Sequence, residues 1–284
     1  MASLEVYRVE QLCCNNINKI FHDLEMFGLI DTNSGFYSAS KEHAYHTCLR
    51  CLYPILEFFK YEDKYCDFIF KSTELFVYSY FLDEALDSTK VSSRVAQSTQ
   101  IASLLLSKYY TWLCNTYDDK TITLFLNTYR ENSRYLVLEK KWEFPELYLN
   151  EYGKLEEIHQ KCILLLFPVY YLLEDVFEKT ELTTLKKMFT NYYSYNLLVD
   201  DIRDLECDIR NKCLTYPIIQ YIKLTGKYPE KVQDLEILRS SLVRELSLLY
   251  QNVYAANHSN KNFSKIVDIN LIKPDEVITG GEYF

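Results

Sequence analysis

Two stretches of this sequence run apolar for more than a helical turn and then end in a cluster of carboxylates. In the longer one, Tyr195-Asn196-Leu197-Leu198-Val199 leads straight into Asp200-Asp201-Ile202-Arg203-Asp204-Leu205-Glu206-Cys207-Asp208. On a helix, Asp200, Asp204 and Asp208 stand at i, i+4 and i+8, so their carboxylates share one face with Asp201 beside them. Like charges at that spacing cost an isolated helix about 0.2–0.5 kcal/mol per pair. Most charge runs are solvated helix faces. Here the apolar lead-in predicts a helix buried at one end and facing a cationic ligand at the other. Magnesium suits such an end, because it takes carboxylate oxygens, keeps several waters and is commonly completed by substrate phosphates.

The same design occurs earlier. Leu75-Phe76-Val77-Tyr78-Ser79-Tyr80-Phe81-Leu82 runs into Asp83, Glu84 and Asp87, again carboxylates at i, i+1 and i+4. Two helices facing each other with such ends would form a carboxylate-rimmed mouth above an apolar interior.

The rest of the composition narrows the fold and the partners. Only 6 Gly and 6 Pro among 284 residues leave few breakers, which favours long helices and one all-α domain over 1–284. The 26 Tyr, 16 Phe and 2 Trp carry more ring surface than a core of this size requires. Their faces suit a cavity that stabilises cations by about 0.5–2 kcal/mol per ring. A net charge of −9 without a basic run argues against nucleic acid as a partner. The chain opens Met1-Ala2-Ser3-Leu4-Glu5, with no signal-peptide pattern, and its longest apolar run, Cys162 to Leu173, falls short of the roughly 18 residues of a membrane span. A cytoplasmic protein with reduced thiols is therefore expected. His43, His46, Cys48 and Cys51 superficially suit zinc, but on one helix they spread around the axis and no second half-site follows.

In chain order, helices are predicted over 5–30 with Gly28 as the stop, over 40–60 with an interruption at Pro54, and over 67–87. Further helices are predicted over 95–113, 125–136, 152–177 with Pro168 as a kink, 185–208, 217–224 and 235–254. Lys161 falls inside the very apolar 152–177 segment, where a lysine either snorkels to the surface or aims its charge into the mouth. The polar tail, 256–284, reads as a flexible cap over that mouth.

The acidic pair resembles the two aspartate-rich motifs of the class I isoprenoid synthases, the trans-prenyl diphosphate synthases and terpene synthases. Asp200-Asp201-Ile202-Arg203-Asp204 with Asp208 following is similar to the second motif of the prenyl diphosphate synthases, with Tyr195-Asn196 where that family usually has Phe-Gln. Lys212-Cys213-Leu214-Thr215-Tyr216-Pro217 resembles its Lys-x-Thr-x-Pro segment with one extra residue, and Lys161-Cys162 its diphosphate-binding Lys-Thr pair. The resemblance implies a helical bundle with a central active-site cavity, a homodimer, and three magnesium ions held by Asp83, Glu84, Asp87, Asp200, Asp201, Asp204 and Asp208. It implies diphosphate binding by Lys161 and Lys212, with Arg203 and Arg210 as further candidates. Tyr78, Phe81, Tyr195 and Asn196 are candidates for contacting the substrate chain, Tyr78 at a position that often sets chain length.

What is missing separates the activities. The elongating members build an isopentenyl diphosphate site from a Gly-Gly-Lys-x-x-Arg-Pro segment and an Arg-Arg pair. This chain has Arg50-Cys51-Leu52-Tyr53-Pro54 and Ser88-Thr89-Lys90-Val91-Ser92-Ser93-Arg94 instead. The expectation is a magnesium-dependent terpene synthase that ionises farnesyl or geranylgeranyl diphosphate and releases a hydrocarbon or alcohol, with or without cyclisation. Two alternatives stay open: a prenyltransferase or prenyl diphosphate synthase with an altered co-substrate site, and a regulatory subunit of a prenyl synthase, to which Glu84 in place of an aspartate would fit.

Overall fold

The computed structural model describes residues 2–31, 35–52, 63–87, 92–139, 154–257 and 271–279. Among them every regular element is helical and there is no strand. No helix of the described residues is long and apolar enough to cross a membrane. The chain divides into two compact units, Met1–Leu124 and Phe125–Phe284.

The first unit contains α1 (Ala2–Met26), α2 (Gly35–Cys51), α3 (Asp63–Asp87) and α4 (Ser93–Thr116). Cys13, Ile17, Ile20, Phe21 and Leu24 form the buried stripe of α1 at helical spacing. The helix ends where Gly28 takes φ +67°, a conformation glycine adopts without the Cβ penalty. Ser92 caps α4 by accepting the Val95 N–H at 3.2 Å, and Ile101, Leu105, Tyr109 and Leu113 recur every fourth residue on its buried face. α3 makes its most extensive packing against α4 and is buried all round from Ser72 to Tyr78, as expected for a helix with apolar residues on every side. Glu74 is the charged exception in this stretch, and Lys71 and Lys108 stand 3.3 and 3.5 Å from its carboxylate.

The second unit is built around α7 (Lys179–Arg203), whose residues Tyr192 to Asn196 are all buried. α5 (Asp119–Glu139), which enters this unit from Phe125 onward, a 3-10 helix (Leu155–Cys162) and α6 (Ile163–Val176) come before it in the chain. α8 (Leu205–Asn211), α9 (Tyr216–Thr225), a second 3-10 helix (Val232–Leu238), α10 (Arg239–Asn257) and α11 (Pro274–Thr279) come after it. The most extensive packing of α7 is against α10.

Three segments expected as single helices are divided. Residues 154–162 do not continue into α6 as α-helix. Leu155, Ile158 and Lys161 are spaced by three, which lines them up on one ridge of a 3-10 helix, and Ile158 is fully buried there. The acidic segment breaks at Asp204 (φ −94°, ψ 6°), which ends α7 and starts α8. The i to i+4 backbone bonds nevertheless run through the break, Asp204 N–H to Asp200 at 2.9 Å and Asp208 N–H to Asp204 at 2.8 Å. Before α10, the Asp234 carboxylate accepts the N–H groups of Glu230 and Lys231 at 2.9 and 3.2 Å, which tightens 232–238 into a 3-10 turn. Of the expected cap, residues 271–279 are described, with Leu271 and Val277 buried and α11 packed on α7 and α10.

Candidate active site

The second acidic motif surrounds a buried lysine. Lys161, in the last turn of the first 3-10 helix, donates to Asp201 Oδ1 at 2.5 Å. The Tyr216 N–H, at the start of α9, donates to Asp201 Oδ2 at 3.2 Å. Asp201 lies near the end of α7 on its buried side, with 4% of its side chain exposed, and Lys161 has 12%. A further carboxylate, Glu139 at the end of α5, stands 3.7 Å from the Lys161 ammonium with 8% of its side chain exposed. The Glu139 carbonyl also accepts the Leu214 N–H at 2.8 Å, which fixes the loop after α8 to the end of α5.

Electrostatics follow from that burial. Burial pushes the Asp201 carboxyl up from its ordinary value and Glu139 adds to the push, while Lys161 and the Tyr216 N–H oppose it. Asp208 is pushed up to about 8, first by burial and then by the charges of Asp201, Glu139 and Asp204, against the opposing charge of Lys161. Its Oδ2 is buried with no hydrogen-bond partner. With Asp208 mostly protonated at neutral pH, Lys161 is shared between the carboxylates of Asp201 and Glu139. The orphaned Asp208 oxygen is the one feature here that a divalent cation would satisfy, in place of the proton. Among the described residues, no three His, Cys, Asp or Glu side chains are already grouped so as to hold one ion.

The loop after α8 carries the other motif residues. Lys212 is exposed and left-handed (φ 55°, ψ 38°), and its N–H caps α8 at Asp208 and Ile209. For a residue with a Cβ, that conformation costs about 1–2 kcal/mol. The Cys213 N–H bonds back to the Asp208 carbonyl at 2.9 Å, and the Tyr228 hydroxyl lies 3.1 Å from the Asp208 carbonyl and 2.9 Å from that of Cys213.

The remaining expected residues take varied positions. Asp200 is half-buried and Asp204 exposed. Arg203 is exposed at the end of α7, and Arg210 pairs with Glu206 at 3.3 Å and lines an open groove with Glu230 and Lys231. Asn196 is turned into its own helix and donates to the Tyr192 carbonyl at 3.0 Å. Tyr195 is buried, packs 5.8 Å from the Tyr250 ring and donates its hydroxyl to the Ile272 carbonyl, so it anchors the described part of the C-terminal segment. In the first unit, Asp83 is exposed and Glu84 accepts from Arg94 Nη2 at 2.5 Å and Nε at 3.0 Å. Arg94 also lies 4.4 Å over the Phe36 ring. Tyr78 and Phe81 are buried, and Phe81 packs among Phe21, Phe36 and Tyr80 at 6.2, 6.0 and 5.2 Å. The side chain of Asp87 lies outside the described residues.

Sequence reasoning missed Glu139 and the main chain of Tyr216. Glu139 ends a helical pattern like many surface glutamates, and nothing in its spacing ties it to Lys161. No protein-family model matches this chain, and neither a curated protein nor a solved structure matches it.

Proposed function

We propose that the chain is a class I terpene synthase of the isoprenoid synthase type, which ionises farnesyl or geranylgeranyl diphosphate and releases a terpene hydrocarbon or alcohol and diphosphate. The observation that carries this is the buried Lys161–Asp201 pair, with Glu139 as a second carboxylate on the same lysine and with Asp208 Oδ2 buried without a partner. Carboxylates gathered at such a site are costly to bury unless a proton or a cation joins them. Asp200, Asp201, Asp204 and Asp208 are assigned to magnesium, and Lys161 and Lys212 to the diphosphate. Bound magnesium would supply the charge that draws off the leaving group. Lys161 adds a fixed positive charge from a site with little access to water, where it acts more strongly than in solution. Asp201 orients that lysine, and the Tyr216 N–H holds the aspartate in place. The exposed Lys212, kept in a strained conformation at a helix end, suits recognition of an anion at the surface. Asp83, Glu84 and Asp87 enter on the sequence motif alone, and so do the central cavity and the homodimer.

The lack of the basic segments of an isopentenyl diphosphate site favours ionisation of one substrate over elongation. Purified protein with magnesium and farnesyl or geranylgeranyl diphosphate, each with and without isopentenyl diphosphate, decides it. The expected result is an organic-extractable product and free diphosphate without isopentenyl diphosphate, both lost in Asp201→Ala and Asp83→Ala. A longer prenyl diphosphate formed only with isopentenyl diphosphate would make the chain an elongating synthase. Absence of turnover in every mixture would leave a regulatory subunit as the better account.

A further inference from the structure

We infer that Glu245 is a positioning residue that acts through Tyr216 to hold Asp201. What Asp201 then does rests on the proposed function; the link itself does not. On α10, Leu242, Leu246, Leu249 and Val253 form the buried stripe, and Glu245 falls on it at i+3 from Leu242 and i−4 from Leu249. An acid on such a stripe is costly unless a partner holds it. Its partner is the Tyr216 hydroxyl, which donates to the Glu245 carboxylate from a buried residue at the start of α9. Glu245 Oε2 is buried without a partner, so the bond falls on Oε1. Burial raises the Glu245 carboxyl, while the Tyr216 bond and the Arg244 charge oppose it. Burial and the Glu245 charge raise the Tyr216 phenol, which keeps it a donor throughout the ordinary pH range. The other end of the same residue meets Asp201, whose Oδ2 accepts the Tyr216 N–H at 3.2 Å. Tyr216 thus joins α10 to α7 with two hydrogen bonds. The usual cap does not fix the first turn of α9. Thr215 stands at the N-cap without a side-chain cap bond, its Oγ1 is buried without a partner, and Pro217 has no N–H. The Leu214 N–H, bonded to the Glu139 carbonyl at 2.8 Å, places the loop two residues earlier. The Glu245 bond sets how the Tyr216 N–H is aimed.

The test reads amide hydrogen exchange at Tyr216 by fragmentation mass spectrometry, on the full chain without substrate, relative to amides in the middle of α7. Pro217 has no N–H, which separates the Tyr216 amide from those that follow. Removing the acceptor in Glu245→Leu, or the donor in Tyr216→Phe, should speed that exchange about tenfold relative to α7. Glu245→Gln keeps an oxygen that accepts from the hydroxyl and should stay within about threefold of wild type. The double variant Tyr216→Phe with Glu245→Leu should exchange no more than about twofold faster than either alone, because both changes remove the same bond. Single variants that speed Tyr216 no more than α7, or two effects that multiply in the double variant, would mean that Glu245 acts only through general stability and would overturn the inference. So would a Glu245→Gln protein as fast as Glu245→Leu. If Glu245→Leu does not fold, Tyr216→Phe and Glu245→Gln carry the same comparison. Where wild type turns over farnesyl diphosphate, kcat should fall about tenfold in Tyr216→Phe with KM within about twofold. An unchanged kcat overturns the positioning role and leaves the reaction. The expected exchange pattern in a protein without turnover upholds the link and refutes the proposed function.

Discussion

Replacing Lys161 by methionine tests the centre of the second unit most directly. The substitution keeps length and apolar stem but removes the positive charge that donates to Asp201, from a side chain 12% exposed. Asp201, 4% exposed, keeps the Tyr216 N–H but loses its counter-ion, and Glu139 and Asp208 stay in its field. Removing one partner of a buried pair costs about 3–5 kcal/mol, because the stranded charge stays desolvated. In urea, with a slope of about 2–3 kcal/mol per molar, the midpoint should fall by about 1–2 M when followed by helix ellipticity. Asp201→Asn should cost less, about 1–3 kcal/mol, since Lys161 keeps Glu139 as a partner and the asparagine oxygen can still accept from Tyr216. The double variant should lie between Asp201→Asn and Lys161→Met, because position 201 then strands no carboxylate while Glu139, 8% exposed, still loses Lys161. The sign with pH follows. Without Lys161 the folded-state value of Asp201 rises further, so the deficit is small below about pH 4, where the carboxyl is protonated folded and unfolded alike, and grows as pH rises. A Lys161→Met protein within about 1 kcal/mol of wild type at pH 7, or a double variant no more stable than Lys161→Met, would refute the buried-pair account.

Other outcomes follow from single contacts. Lys212→Gly should stabilise the fold by about 0.5–1 kcal/mol in chemical unfolding, by removing a left-handed Cβ, while weakening diphosphate-dependent thermal shifts. Burial lowers the His159 imidazole below its ordinary value, so its contribution is present above about pH 6.5 and lost as the pH falls through it. His159→Gln should flatten the acid side of the stability curve measured between pH 5 and about 7. Tyr195→Phe removes the hydroxyl that holds the Ile272 carbonyl and should cost about 1 kcal/mol, with faster proteolytic cleavage near residues 271–279 as the readout.

The helical content was legible in the sequence, and so was the place of two charged residues of the candidate site. The stripe of α1, its stop at Gly28 and the fourfold spacing on α4 follow from periodicity and glycine chemistry, both local properties. Lys161 and Asp201 were legible as charged residues in apolar surroundings, an arrangement that costs too much to be incidental. Their direct pairing was not legible, because 40 positions separate them and only the packing of a 3-10 turn against α7 joins them. The 3-10 turn itself was missed, since Leu155, Ile158 and Cys162 satisfy an α-helical pattern nearly as well as a threefold one.

The sequence by itself determined that this chain is helical, where two acidic clusters end apolar helices, and that a lysine lies in an apolar segment, because propensity, periodicity and the cost of buried charge act over a few residues. Only the tertiary structure decided that Lys161 rests on Asp201, that Glu139 stands behind it, that a backbone N–H of Tyr216 completes the aspartate, and that Tyr195 holds Ile272 instead of standing free. Those partners come from distant parts of the chain, and their energies depend on burial that no local pattern encodes.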